Sequence, residues 1–207
     1  MTTYEPRSLQ IGKILNIGLF LTMGAILAFA VRYIWSLAVG GEEAILQYLM
    51  LKSFAVTLIP FVIVVLLFLA ALWAYSYYVD LNNLFDRFEK HPNEAMFSVL
   101  IPVFNIYGIG RTFSRVINFL DRYDDDDDVY ALGMQMKIAL ATFYAGFGGA
   151  LISILFGITI PSGPDMVWKA TVIVFNFAEM AVLLFTLFGF FLIVRANSRL
   201  IRYRNSS

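Results

Sequence analysis

An all-α membrane protein with four transmembrane helices is the fold class this sequence predicts. Three observations carry it: 60% of the 207 residues are hydrophobic, the mean hydropathy is +0.75, and the apolar residues gather in four long runs. A water-soluble domain covers its surface with polar side chains, so a chain with only 14% charged residues needs the bilayer as part of its solvent.

Hydrocarbon about 30 Å thick asks for roughly 20 apolar residues in a helix. The first run, 14–31, is free of charge and continues through Arg32 to 38. Arg7 and Lys13 before it, with Ala28-Phe29-Ala30 near its end, also fit a secretory signal; the length of the run favours a retained span. The second run, 53–79, and the third, 138–164, are uncharged, and the fourth, 170–194, is interrupted only by Glu179. The spans are expected at about 14–38, 53–79, 134–160 and 169–194, forming a single four-helix transmembrane domain over 1–207 with a cytoplasmic or interfacial loop at 80–130. Pro60, about two turns into the second span, predicts a kink.

Orientation follows from the basic residues. Arg7, Lys13, Arg87, Lys90, Arg111, Arg115, Arg122, Lys137, Arg195, Arg199, Arg202 and Arg204 flank one side, against Arg32, Lys52 and Lys169 on the other. Lysine and arginine accumulate on the cytoplasmic side, which places both termini there. Tyr33, Trp35 and Trp168 at one interface and Trp73, Tyr75, Tyr77 and Tyr78 at the other agree with aromatic belts.

The absence of cysteine excludes disulfides, thiolate metal sites and a cysteine nucleophile, and the lone His91 excludes bis-histidine ligation within the chain. His91, beside Pro92 with no nucleophile or paired acid near it, reads as a surface residue. Zero net charge argues against nucleic acid as a partner.

Ala141, Ala145, Gly149, Ser153 and Gly157 in the third span recur every four residues, with Gly146 and Ala150 beside them. Such a line makes a face on which another backbone approaches closely, either within this bundle or from a second copy or subunit. Glu179 in the fourth span is the one intramembrane charge. On a lipid face it costs about 2.5–3.5 kcal/mol when ionised. It is therefore expected to face protein or water, with Asn176 and Thr186 on nearly the same side and Ser153 and Thr57 at matching depth. Two readings stay open: an ion- or proton-handling carboxyl, or a hydrogen-bonded acid that fixes helix register.

In the loop, 81–88 extends the second helix, His91-Pro92-Asn93-Glu94 breaks it, and Asn93 is the expected cap of the next segment. The uncharged stretch 95–110 is interrupted by Pro102, Gly108 and Gly110; sixteen broken residues predict an interfacial or re-entrant segment, with Asn105 and Tyr107 serving its polar needs. The stretch 111–123 reads as a surface helix with Phe113, Val116, Ile117 and Leu120 on its apolar side. Arg111, Arg115 and Arg122 on the other side are candidate lipid-headgroup contacts. The acidic run at 124–128 is expected to be a solvated loop meeting a helix N-terminus, with docking to a basic partner as the second option.

The residues Asn82 or Asn83, Leu84, Asn93, Ala95, Ser98, Ile101, Pro102, Asn105, Ile106, Tyr107 and Arg111 form a pattern, N-x-L followed by I-P-x-x-N-I-Y and a basic residue. This pattern resembles small bacterial multi-span membrane proteins grouped as domains of unknown function. Here Pro92 precedes Asn93, where in those proteins proline follows the asparagine. The resemblance covers about 30 residues and implies a bacterial inner-membrane protein; no activity comes with it.

The function expected from the sequence is that of a non-catalytic integral membrane protein, a structural or accessory subunit of a homo-oligomer or larger membrane complex. The alternative is an ion or proton channel or transporter using Glu179. The bilayer, a second copy or other membrane subunits are the expected partners. No catalytic constellation, cofactor site or metal site is expected.

Overall fold

The computed structural model describes the backbone of residues 5–39, 42–85, 88, 91–100, 102–123, 127–159 and 166–206. Side chains are described over 5–38, 50, 58, 61–85, 88, 91–100, 107–122, 127–149, 152 and 173–206. Among the described residues every regular element is an α-helix: α1 Arg7–Val39, α2 Glu42–Leu84, α3 Pro92–Leu100, α4 Pro102–Tyr123, α5 Asp127–Thr159 and α6 Met166–Ser206. Three of these are long and apolar enough to cross a membrane, over Arg7–Ala38, Phe61–Leu84 and Ile173–Ser206. Helix α5, with 33 residues, is as long as α1.

Proline sets the starts of the two short helices. Pro92 and Pro102 each occupy a first helical position, where a missing N–H costs nothing and the fixed φ is already helical. Helix α3 therefore begins at Pro92, one residue ahead of the expected Asn93 cap, and the Glu94 N–H donates to the His91 carbonyl. Gly108 and Gly110 do not interrupt the chain as the sequence led us to expect; both lie inside α4. Interior glycines cost a helix about 1 kcal/mol each, and here close approach explains them. A Cβ on Gly108 would stand 2.7 Å from the Ser98 carbonyl oxygen, and one on Gly110 would collide with the Tyr144 hydroxyl.

Each helix packs against its chain neighbours, and α6 returns to α1 and closes the ring. Helix α6 also touches α2 across the ring, whereas α2 and α5 do not meet among the described residues. The α3–α4 pair fills the space between α2 and α5, but only at one end of the bundle.

The core sits at that end. Apart from Tyr33, the buried hydrophobics of the long helices fall in Leu15 and Leu19 of α1, 70–81 of α2, 129–143 of α5 and 190–201 of α6. Trp73, wholly buried, is the hub: its ring stacks on Tyr77 and Phe113 and meets the edge of Phe190. The apolar side of α4, expected at a membrane surface, instead packs here, with Phe113, Val116, Ile117 and Leu120 all buried. The opposite end is open. Only 22% of the most apolar stretch of α1 and of α6, and 39% of that of α2, is buried inside the protein.

Candidate functional site

Glu179 lies in the open half of α6 and is exposed. On a helix of 3.6 residues per turn it shares a face with Thr186, Phe190, Ile193 and Asn197. Phe190 sits between Trp73 of α2 and Phe143 of α5, with ring centroids 6.3 and 6.1 Å away. That face therefore looks into the space between α2 and α5. Glu179 lies eleven residues from Phe190 on the same helix face, about 16 Å along the axis, and there it is exposed.

The neighbouring helices fix the depth of Glu179. Helices α5 and α6 run antiparallel, with Gly189 against Phe143, Gly146 against Thr186 and Gly149 against Val182. Each step along one helix is matched by an equal step back along the other, so this register puts position 153 level with Glu179. The side chains of Ser153 and Gly157 lie outside the described residues, as does that of Thr57. Ala141 and Ala145 are exposed, while Gly146 is buried and Gly149 half-buried against α6. Thr186 donates its hydroxyl to the Val182 carbonyl on its own helix. Asn176 turns the other way: its side chain hydrogen-bonds the Tyr33 hydroxyl of α1, and the Tyr33 ring lies 5.3 Å from Phe177.

A polar seam runs through the packed end between α1, α2 and α6. The buried Asp80 accepts a hydrogen bond from the Ser8 N–H at 2.8 Å, so a carboxylate from α2 caps the N-terminus of α1. One turn on, a Cβ on Gly12 would stand 3.1 Å from Trp73 Nε1 and 3.2 Å from Ser198 Oγ. Asn197 and Ser198, both buried, donate to the Ile193 and Val194 carbonyls. Ser8 Oγ, Trp73 Nε1 and Asn197 Oδ1 of these helices, with Asn16 Oδ1 and Tyr77 OH elsewhere on α1 and α2, are buried atoms with no hydrogen-bond partner among the described protein groups. Such atoms are ordinarily satisfied by ordered water.

The outward edge of α4 carries the basic residues. Arg115 pairs with Glu94 of α3, and this hydrogen bond and charge hold the Glu94 carboxyl below the usual glutamate range. Lys137 of α5 donates to Asp121 at 2.9 Å. Arg111 and Arg122 are exposed. Two adjoining hollows, of about 560 and 350 Å³, lie between α4 and α5.

Asp127 and Asp128 occupy the first turn of α5, where acids meet the positive end of the helix dipole; the other three aspartates of the run lie outside the described residues. His91 is exposed. Among the described residues no three His, Cys, Asp or Glu side chains gather as a metal would require.

Sequence reasoning found Glu179 and the α4 cations but missed the seam. Its one available signal was Asp80, the charge that ends the long uncharged run of α2 three residues after Tyr77. No protein-family model, curated protein or solved structure matches the chain.

Proposed function

We propose that this protein is a non-catalytic integral membrane subunit that crosses the bilayer four times, with both termini in the cytoplasm, and is completed by a second copy or another membrane subunit. The observation that carries the reading is Glu179, exposed in the open half on a helix face that is half-buried at Thr186 and buried from Phe190 to Asn197. A carboxyl at that depth against lipid is costly. A neighbouring helix with a hydrogen-bond donor or a cation, seated between α2 and α5, removes that cost and covers the apolar surface around it.

Helix α5 supplies the fourth crossing. It packs antiparallel along α6 from Phe143 to Gly149, so it enters whatever layer α6 enters. The asymmetry of lysine and arginine supports a cytoplasmic packed end. Trp73 stands about 10 Å along α2 from Asp80, and Phe113 stacks on it, so α4 reaches the edge of the hydrocarbon as a half-inserted wedge. The loop pattern supports a bacterial inner membrane.

A second reading, a proton or cation path using Glu179, draws on the same exposed carboxyl with water in place of a helix. Gentle purification followed by native mass spectrometry separates the two. The subunit reading predicts a stable second polypeptide or second copy, lost or weakened in Glu179→Leu and retained with Glu179→Gln, which keeps hydrogen bonding. A lone monomer whose reconstituted proton or cation flux disappears in Glu179→Gln supports the path and contradicts the subunit.

A further inference from the structure

The cleft between α4 and α5 is the feature that neither the core nor Glu179 explains. Its two hollows share Ser114, Asn118 and Tyr144, so they form one continuous groove. Arg111 and Arg115 line its α4 side and Lys137 its α5 side. Arg115 is engaged with Glu94 and Lys137 with Asp121. Arg111 makes no contact ion pair among the described residues, although its charge also acts on Glu94. Among the described residues of the cleft three cations therefore meet two acids, which leaves one positive charge in excess beside the polar groups of Ser114 and Asn118.

The other end of the groove is apolar. Leu140 and Ala141 line it, and Ala141 belongs to an exposed stripe of α5 that includes Ile138, 60% exposed, and Ala145. Tyr107, 70% exposed, flanks the basic end. A free phosphate makes no use of the apolar wall, and a neutral lipid leaves Arg111 uncompensated. A molecule with one negative charge at its head and a hydrocarbon tail meets both requirements.

We propose that this cleft binds one anionic glycerophospholipid. Its phosphodiester lies against Arg111, Ser114 and Asn118, and an acyl chain runs along Ala141 and Ala145 of α5. The assignment rests on the membrane-crossing reading and not on the partner at Glu179, so loss of either leaves the other standing.

The test reconstitutes the full chain in nanodiscs of equal phosphatidylglycerol and phosphatidylcholine, then counts the lipids that stay bound in native mass spectrometry after mild extraction. Phosphatidylglycerol is expected to be retained at least about fivefold over phosphatidylcholine, the factor that one surface cation contributes. Arg111→Gln is expected to erase that preference, whereas Arg202→Gln, exposed and outside the cleft, preserves it. Ala141→Trp, at an exposed position, fills the apolar end and lowers retention of both lipids. Equal retention of the two lipids by the wild-type chain, or the same result for Arg111→Gln and Arg202→Gln, overturns the proposal. Inorganic phosphate in excess, added before extraction, is expected to leave the bound lipid in place. If it strips the lipid, the cleft recognises phosphate alone and the lipid assignment fails.

Discussion

The two ends of this bundle are made from the same four long helices and obey different rules. At the packed end, Trp73 is wholly buried among Tyr77, Phe113 and Phe190, and even polar groups such as Asp80 and Asn197 are enclosed. At the open end, Trp35 is 58% exposed, Val174 67% and Phe61 68%. The α3–α4 wedge accounts for the difference. It separates α2 from α5 at one end and fills the space with aromatic rings, and among the described residues the two helices do not meet above it either. One end is thus stabilised by its own side chains, and the other leaves much of its apolar surface exposed.

The contrast is open to direct attack by paired substitutions, read as unfolding in one detergent. The largest effect is expected at the hub. Trp73→Ala should cost about 3–5 kcal/mol, whereas Trp35→Ala, exposed at the other end, should stay within about 0.5 kcal/mol. Similar losses for both would erase the distinction between the ends.

Glycines give the next comparison. A Cβ at Gly189 would overlap the Phe143 backbone, so Gly189→Ala should prise α5 from α6 at a cost of about 1–3 kcal/mol. Gly24, in the exposed half of α1, has nothing within 4 Å, and Gly24→Ala should be neutral or gain up to about 1 kcal/mol of helix propensity. Asp80→Ala leaves the buried Ser8 N–H without its acceptor and uncaps α1, which should cost about 1–2 kcal/mol. An undisturbed melting temperature in this variant would show that the α1 cap carries nothing.

The smallest effect is a pH dependence at Glu94. Its carboxyl is held below its ordinary range in the folded protein, first by the Arg115 hydrogen bond. The stabilisation is therefore fully present above the unfolded-state value and is lost as pH falls through the lowered folded value. The pair is exposed, at 58% for Glu94, so solvent screening keeps the effect below about 1 kcal/mol. Acid titration of the melting temperature, wild type against Glu94→Gln, should show the two curves meeting at low pH.

Legibility in the sequence divides along the same line. Long uncharged runs report the solvent, so the helices that face outward were readable from hydropathy, and Glu179 was conspicuous as the single charge within one. Packing between helices was not readable in the same way. Phe113, Val116, Ile117 and Leu120 have the spacing of a membrane-surface helix, and nothing in that spacing distinguishes lipid from the rings of Trp73 and Tyr77. Gly108 and Gly110 look like breaks because glycine is a poor helix former; the contacts with Ser98 and Tyr144 that explain them lie 10 and 34 residues away. The Asp80–Ser8 cap joins residues 72 apart, a pairing that no local pattern announces.

Because the chain has no cysteine, single cysteines report sidedness without background. The most direct test of the account is labelling by a membrane-impermeant maleimide of Arg122→Cys and Arg202→Cys at the packed end, against Met50→Cys in α2 and Ser162→Cys in the segment joining α5 to α6, in intact and in opened cells. The account predicts that Met50→Cys and Ser162→Cys react in intact cells, and that Arg122→Cys and Arg202→Cys react only once the cells are opened. Labelling of Ser162→Cys from the same side as Arg122→Cys would contradict the fourth crossing.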